Sequence, residues 1–245
     1  MDMKDIAAVI LAGGLGKRVQ HLLPEIPKPM APVAGRPCLE WLVRYLVKQG
    51  VTRVVISSGY KAEVIERHFA GQPVPGATVR CVTELEPLGT GGGLLHAVRS
   101  SAERPEGWLV LNGDTFAFAE VKRAAAALAE PGIGGVLFGR AVADTSRYGS
   151  LMLDGAGNLV RFEEKRPGAG LVSTGVYLFR EKLLGKFPQQ TPMSLERDAF
   201  PAVTAAGAWL RVLEMNAPFL DIGTPETLPL AENFVRANPG QFAMD

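Results

Sequence analysis

Apolar runs and segments of helical spacing alternate along the first 140 positions. Residues 6–11 form an unbroken apolar run that stops abruptly at glycine, as a strand buried on both faces of a parallel sheet would. A loop rich in Gly, Pro and basic residues follows to about Arg36. From Pro37 onward, apolar residues at 39, 42, 43, 46 and 47 repeat at helical spacing. Proline is tolerated in a first turn, and Gly50 supplies the stop. The same reading predicts strands over 54–57, 78–82 and 108–111, helices over 62–69 and 92–99, an Ala-rich helix over 121–128 and a strand over 134–139. This alternation predicts an open, mostly parallel sheet with helices on both faces.

The rhythm changes after Arg140. Residues 148–153 and 159–162 flank Asp154-Gly155-Ala156-Gly157-Asn158, a strong hairpin signal. Residues 171–179 read as another strand, and 194–206 as a helix that Pro201 bends or ends. Short strands are expected over 209–213 and 219–222, and Thr224-Pro225-Glu226 reads as the opening of a last helix. With no internal repeat, low-complexity tract or linker, 1–245 reads as one domain, α/β in its first half and mixed in its second.

Composition narrows the class of function. The 245 residues are 47% hydrophobic and 21% charged, as in ordinary globular proteins. A domain of this size buries roughly 70–75% of its unfolded surface and needs no disulfide or structural metal. Lys and Arg number 26 against 25 acids, a net charge of +1, which gives no sign of a nucleic-acid-binding face. Any anion site must be local. Cys38 and Cys81 lack metal-ligand spacing and read as two buried thiols. The acidic start, Met1 to Asp5, does not fit a secretory signal, and no stretch approaches the ~18 apolar residues of a membrane span. The expectation is a cytoplasmic protein with neither nucleic-acid nor membrane partners.

The chemistry concentrates where predicted strands end. Leu11-Ala12-Gly13-Gly14-Leu15-Gly16-Lys17-Arg18 closes the first strand, and ligands of open α/β sheets bind at such carboxyl ends. Glycines there let backbone N–H groups approach a phosphate, although a sharp turn with surface charges would look similar. Two familiar phosphate loops fail. A Walker A loop would require glycine at Leu11 and Ser or Thr at Arg18, and a dinucleotide fingerprint from Gly14 would require glycine at Val19. Further on, Pro27-Lys28-Pro29 holds a lysine between two prolines that restrict its backbone.

Asp114 ends the apolar strand Leu109-Val110-Leu111-Asn112-Gly113-Asp114, and Asp221 ends Phe219-Leu220-Asp221. An acid at a central strand end can hold a cation, or equally cap the next helix. A second glycine-rich stretch, Glu84 to Gly93, lies between a strand and a helix. Glu163-Glu164-Lys165 is a charge run that alone would read as a solvated face.

The Gly-Gly-x-Gly-x-Arg loop followed by Pro-Lys-Pro resembles the sugar-1-phosphate nucleotidyltransferase family, and the likeness continues through nearly the whole chain. The resemblance implies a Rossmann-like three-layer sandwich with a mostly parallel mixed central sheet. Residues 1–140 would form mainly the nucleotide half, and 141–245 mainly the sugar-phosphate half. It implies that Leu11, Ala12, Gly13, Gly14, Gly16 and Lys17 wrap the triphosphate, with Arg18 on the leaving pyrophosphate and Lys28 near the reacting phosphate. Asp114 and Asp221 would hold Mg2+. Glu84, Gly89, Thr90, Gly91, Asn112 and Gly113 fall to the nucleotide, and the helix starting at the end of this stretch, near Gly92, would present its positive end to phosphate. Tyr148, Gly149, Glu164, Thr174, Gly175 and Glu196 fall to the sugar phosphate, which Lys165 would anchor. Two positions depart from the pattern: Lys17 stands where many members have Thr, and Ser173 where relatives often have Asn.

The implied substrates are a nucleoside triphosphate and a sugar 1-phosphate. Pro-Lys-Pro-Met-Ala-Pro-Val, Glu-Pro-Leu-Gly-Thr-Gly-Gly, Leu-Asn-Gly-Asp-Thr, Ser-Arg-Tyr-Gly and Asp-Ile-Gly-Thr-Pro-Glu are most similar to the branch that joins GTP to a manno-configured heptose 1-phosphate for surface glycans. Uridylyltransferases of amino-sugar phosphates share most of these strings, and a non-catalytic sugar-nucleotide-binding subunit is the reading from another class. Family members are monomers, dimers or tetramers, so a homo-oligomer fits as well as a single chain.

Overall fold

In the computed structural model, β1 (Ile6–Ala12) runs through the middle of the sheet. Ile6, Ala8, Ile10 and Ala12 join one buried apolar cluster, and Ala7 and Val9 join another on the opposite face. Side chains of a strand alternate between faces, so the unbroken apolar run reflects burial on both. The structure describes residues 1–146, 149–163 and 167–244.

In chain order the elements are β2 (Pro32–Val33), β3 (Arg36–Pro37), α1 (Cys38–Lys48), β4 (Arg53–Ser58), α2 (Ala62–Gly71), β5 (Thr78–Thr83), α3 (Gly89–Ser100), β6 (Gly107–Asn112), β7 (Thr115–Ala117) and α4 (Val121–Ala127). There follow β8 (Ile133–Val142), β9 (Ser150–Leu153), β10 (Leu159–Glu163), β11 (Gly170–Arg180), α5 (Glu181–Leu184), α6 (Phe200–Ala205), β12 (Trp209–Glu214), β13 (Phe219–Asp221) and α7 (Leu230–Ala237).

Among the described residues, one mixed sheet of nine strands takes members from both halves of the chain. Its core, β6-β1-β4-β5, is parallel: Ile10 sits opposite Ile56 of β4 and Leu111 of β6. β11 runs antiparallel to β6 and also pairs β8 and β9, while β12 lies parallel to β8. α1 buries Leu39, Leu42, Val43 and Leu46 on one side of the sheet, and α3 buries Leu94, Leu95 and Ala97 on the other. Each such side chain contributes about 1.5–3 kcal/mol by leaving water. This is the expected three-layer α/β architecture. No helix of the described residues is long and apolar enough to cross a membrane.

The short strand expected over 219–222 is β13, which with β7 forms a separate two-strand antiparallel ribbon outside the main sheet. Three local expectations need correction. The helix expected over 194–206 is split into a π-helical turn, Leu195–Ala199, and α6. Pro201 has no N–H to give an α-helical bond, and the wider turn lies just before it. Thr224-Pro225-Glu226 opens a run of turns rather than an α-helix, with N–H groups of Thr227 and Leu228 on the Thr224 carbonyl and those of Leu230 and Ala231 on the carbonyls of Thr227 and Leu228; the α-helix itself, α7, begins only at Leu230. Cys81 is half-buried, while Cys38 is buried as expected. The predicted hairpin is present: Asp154 Oδ1 accepts N–H groups of Ala156 and Asn158 at 2.9 and 2.8 Å, and Gly157 takes a φ of 81°.

Candidate active site

The loop after β1, the ends of β6, the segment after β5 and Gly223 enclose a cleft of about 460 Å³. Its position at the carboxyl ends of parallel strands is where open α/β sheets take ligands. Leu11, Ala12, Gly13, Gly14, Gly16, Lys17 and Arg18 all line it, as do Lys28 and Asn112. The loop is tied to the strand behind it by the Tyr60 N–H, which donates to the Gly13 carbonyl at 3.3 Å. A Cβ at Gly13 would lie 2.8 Å from Glu84 Oε1, so a side chain there would displace the Glu84 carboxylate.

Lys28 sits in a short 3-10 turn, Lys28–Met30, closed by the Ala31 N–H on the Lys28 carbonyl at 3.0 Å. The flanking prolines predispose the turn, and its ammonium donates to Asp114 Oδ2. Asp114 Oδ1 accepts the Thr115 hydroxyl at 3.1 Å. Asp221 reaches the same place from far along the chain because β13 pairs β7 with Asp221 opposite Thr115. The Ile222 N–H donates to the Asp114 carbonyl at 3.0 Å, and the Gly223 N–H to Asp221 Oδ1 at 2.7 Å. The Arg18 guanidinium reaches the same corner: a Cβ at Gly223 would lie 3.0 Å from Arg18 Nη2 and 2.7 Å from Asp221 Oδ1.

Burial, and after it the negative charge of Asp114, holds the Asp221 carboxyl above its ordinary range. A carboxylate kept at such a cost beside a second acid is the environment a cation relieves. Among the described residues no group of three or more His, Cys, Asp or Glu converges as a metal cage. Two carboxylates with room for phosphate oxygens are nevertheless what Mg2+ takes in nucleotide sites. The donor set fits that ion.

Across the cleft, Glu84, Pro87, Gly89 and Thr90 form the opposite wall. Glu84 is fixed by the Ser57 hydroxyl, which donates to Oε1 at 2.8 Å, and by the Leu88 N–H, which donates to Oε2 at 3.2 Å. Part of the start of α3 is taken up by the chain itself. Its Gly91 and Gly92 N–H groups donate to the Met193 carbonyl at 2.9 and 3.3 Å, and the Thr90 hydroxyl accepts the Leu195 N–H at 2.9 Å. Gly91 and Gly113 do not line the cleft. Gly113 lies under it, its N–H donating to the Leu11 carbonyl at 2.8 Å.

On the expected sugar side the structure puts several residues to scaffold use. Thr174 is buried, and its hydroxyl donates to the Phe138 carbonyl at 2.9 Å. Gly175 has a φ of 73°, and a Cβ there would lie 2.3 Å from Asn112 Nδ2, so it lets Asn112 lean into the cleft. A Cβ on Gly149 would meet the Phe162 ring at 2.1 Å. Glu196 Oε1 accepts the Tyr177 hydroxyl at 2.9 Å and Oε2 the Ser194 hydroxyl at 3.1 Å. The Ser173 and Tyr177 hydroxyls are also hydrogen-bonded, at 2.9 Å. Tyr148, Glu164 and Lys165 lie outside the described residues. The sequence reading missed Pro29, Pro87 and Gly223 as lining residues, although Pro29 adjoins Lys28, Pro87 lies between Glu84 and Gly89, and Gly223 is two positions after Asp221.

A strand-end glycine loop, an enclosed lysine–aspartate pair and a second acid on an adjoining ribbon define an α/β protein built around a polyanionic ligand. The chain belongs to the nucleotidyl transferase family, which matches residues 7–238. It is 34% identical over 220 residues to D-glycero-alpha-D-manno-heptose 1-phosphate guanylyltransferase of Campylobacter jejuni, covering 89% of this chain and 95% of that protein. The protein of the same name from Aneurinibacillus thermoaerophilus is 32% identical, with 89% and 94% covered. The crystal structure of HddC from Yersinia pseudotuberculosis complexed with GMP-PN superposes with a TM-score of 0.80 at 33% identity, covering 93% of this chain and 98% of that one.

Proposed function

We propose that this chain is a cytoplasmic guanylyltransferase that joins GTP to D-glycero-α-D-manno-heptose 1-phosphate, giving the GDP-heptose and pyrophosphate. The observation that carries the reading is the near-complete coverage in both directions by relatives named for that reaction. The Lys28, Asp114 and Asp221 constellation supports the chemistry.

A phosphate oxygen of the sugar phosphate attacks the α-phosphate of GTP, and the bond from that phosphorus to the β-phosphate oxygen breaks. The attacking dianion is nucleophilic at neutral pH and needs no protein base. What the protein must do is align two anions and offset their repulsion. The backbone of 11–16 cradles the triphosphate, and Arg18 and Lys17 meet the departing pyrophosphate. Lys28 serves the reacting phosphate, and Lys165 anchors the sugar phosphate. Asp114 and Asp221 would hold Mg2+, which when bound neutralises charge on the phosphates. Glu84 faces the base.

The test is pyrophosphate release in the presence of Mg2+ from GTP, UTP, dTTP, CTP and ATP, each with a panel of sugar 1-phosphates that includes the manno-heptose. Release from GTP with the heptose is the expected result. Release from UTP with an amino sugar instead would keep the reaction and overturn the substrates, and loss of Mg2+ dependence would overturn the metal assignment.

A further inference from the structure

The acids of the site stand on a ribbon of three residues per strand that lies outside the main sheet. Two short strands alone are marginally stable, so the ribbon is held by what packs behind it. On β7, Thr115 points toward Asp114, and the next residue, Phe116, points the other way into the core. Phe116 and Phe118 stack on Phe234 of α7 with ring centroids 5.7 and 5.4 Å apart.

The segment after α7 closes this packing. Phe242 is 2% exposed; its ring lies 5.6 Å from Phe118, 6.4 Å from Phe116 and 4.9 Å from Trp41 of α1. The neighbouring backbone is clamped at two points: the Ala243 N–H donates to the Arg44 carbonyl, and Arg44 Nη1 donates to the Ala243 carbonyl, both at 3.1 Å. Arg44 is itself buried and donates to Glu40 Oε1 at 2.9 Å. Glu40 also accepts from Arg36 at 2.8 Å and meets His68 at 3.0 Å.

We propose that Phe242 is a positioning residue for the ribbon, bracing β7 from behind so that Asp114, at its start, stays where it and Asp221 bind one divalent cation. This rests on the cation reading given above. Outer groups that orient metal ligands typically matter by 10–100-fold in affinity.

The experiment measures Mn2+ binding to the protein saturated with a non-hydrolysable GTP analogue by water-proton relaxation, with thermal melting alongside. Phe242→Ala is expected to raise the half-saturating Mn2+ concentration about tenfold, and Phe242→Leu to give a smaller rise. The control is Phe187→Ala, another buried ring that packs on Phe179 in the other apolar cluster; it should lower the melting temperature and leave the Mn2+ midpoint unmoved. An unchanged midpoint in Phe242→Ala, with only a lower melting temperature, overturns the proposal. If Phe242→Ala does not fold, Phe242→Leu decides on the same midpoint. An unaltered chain that, so loaded, shows no relaxation enhancement beyond that of Mn2+ with the free analogue overturns the cation reading itself, a result distinguishable from the first.

Discussion

Lys28 donates its ammonium to Asp114 Oδ2 across 86 positions of sequence. The pair is more than a surface salt bridge, since the Lys28 side chain is only 10% exposed and both residues line the cleft. A fixed cation so placed offsets charge on a transferring phosphate in a way that mobile solvent cannot. Lys28→Ala is therefore expected to lower kcat by about 10²-fold, and Asp114→Ala to abolish turnover, both with circular dichroism like that of the unaltered protein. Near-normal pyrophosphate release by Asp114→Ala would remove it from the site.

Asp221 carries a different signature. Its carboxyl is held above the ordinary value of 3.8, first by burial and then by Asp114. The charged form is thus disfavoured in the fold. That cost is present above the raised pKa and is lost as pH falls through it toward 3.8. In cation-free buffer Asp221→Asn, which keeps an oxygen for the Gly223 N–H, should melt higher than the unaltered protein at neutral pH. The gap should close on acidification, while turnover is lost at every pH. An Asn variant that melts lower at pH 7 would show that the acid pair stabilises the fold.

Gly89 tests the strap between the two halves of the cleft. It has a φ of 75°, and an added Cβ would lie 2.4 Å from the Met193 carbonyl oxygen. That carbonyl is the acceptor for the Gly91 and Gly92 N–H groups in the first turn of α3. Gly89→Ala combines backbone strain with a clash and is expected to cost about 1–3 kcal/mol of stability. KM for the nucleotide should rise, because Gly89 and Thr90 line the cleft. Chemical denaturation and initial rates measure the two effects separately.

The parallel core was legible because burial on both faces leaves strands uniformly apolar, as in β1, β4 and β6. The glycine loop, Lys28 and both acids were visible as residue types at strand ends. What the chain pattern could not carry was partner choice. A short strand such as Phe219–Asp221 has the same appearance in sequence whether it enters the main sheet or pairs with β7 outside it. The role of Thr174 was hidden for a related reason: the hydroxyl is claimed by the Phe138 carbonyl of β8, a neighbour set by topology. Likewise the capture of two N–H groups near the start of α3 was hidden, because Met193 approaches them from another part of the chain.

The last prediction concerns the base. Glu84 presents a carboxylate to the cleft in a fixed orientation, held by Ser57 on one oxygen and the Leu88 N–H on the other. Guanine is the nucleobase whose pairing edge offers two adjacent donors, N1–H and N2–H, and a carboxylate accepts both. Uracil and thymine offer one donor between two carbonyls, which an anionic acceptor repels. Glu84→Gln is a sparing change for the fold. The amide oxygen can take the Leu88 N–H, the amide nitrogen can donate to the Ser57 hydroxyl, and that hydroxyl retains the Gly93 carbonyl, 3.3 Å away, as its own acceptor. What is lost is an acceptor and the charge. Hydrogen bonds to charged groups are worth about 1.5–3 kcal/mol, so KM for GTP should rise tenfold or more by that measure. KM for the sugar phosphate should stay constant, and the preference for GTP over UTP should narrow. Initial rates with both nucleotides would decide it: an unchanged KM for GTP removes Glu84 from base recognition and leaves it a structural brace between the two glycine-rich loops.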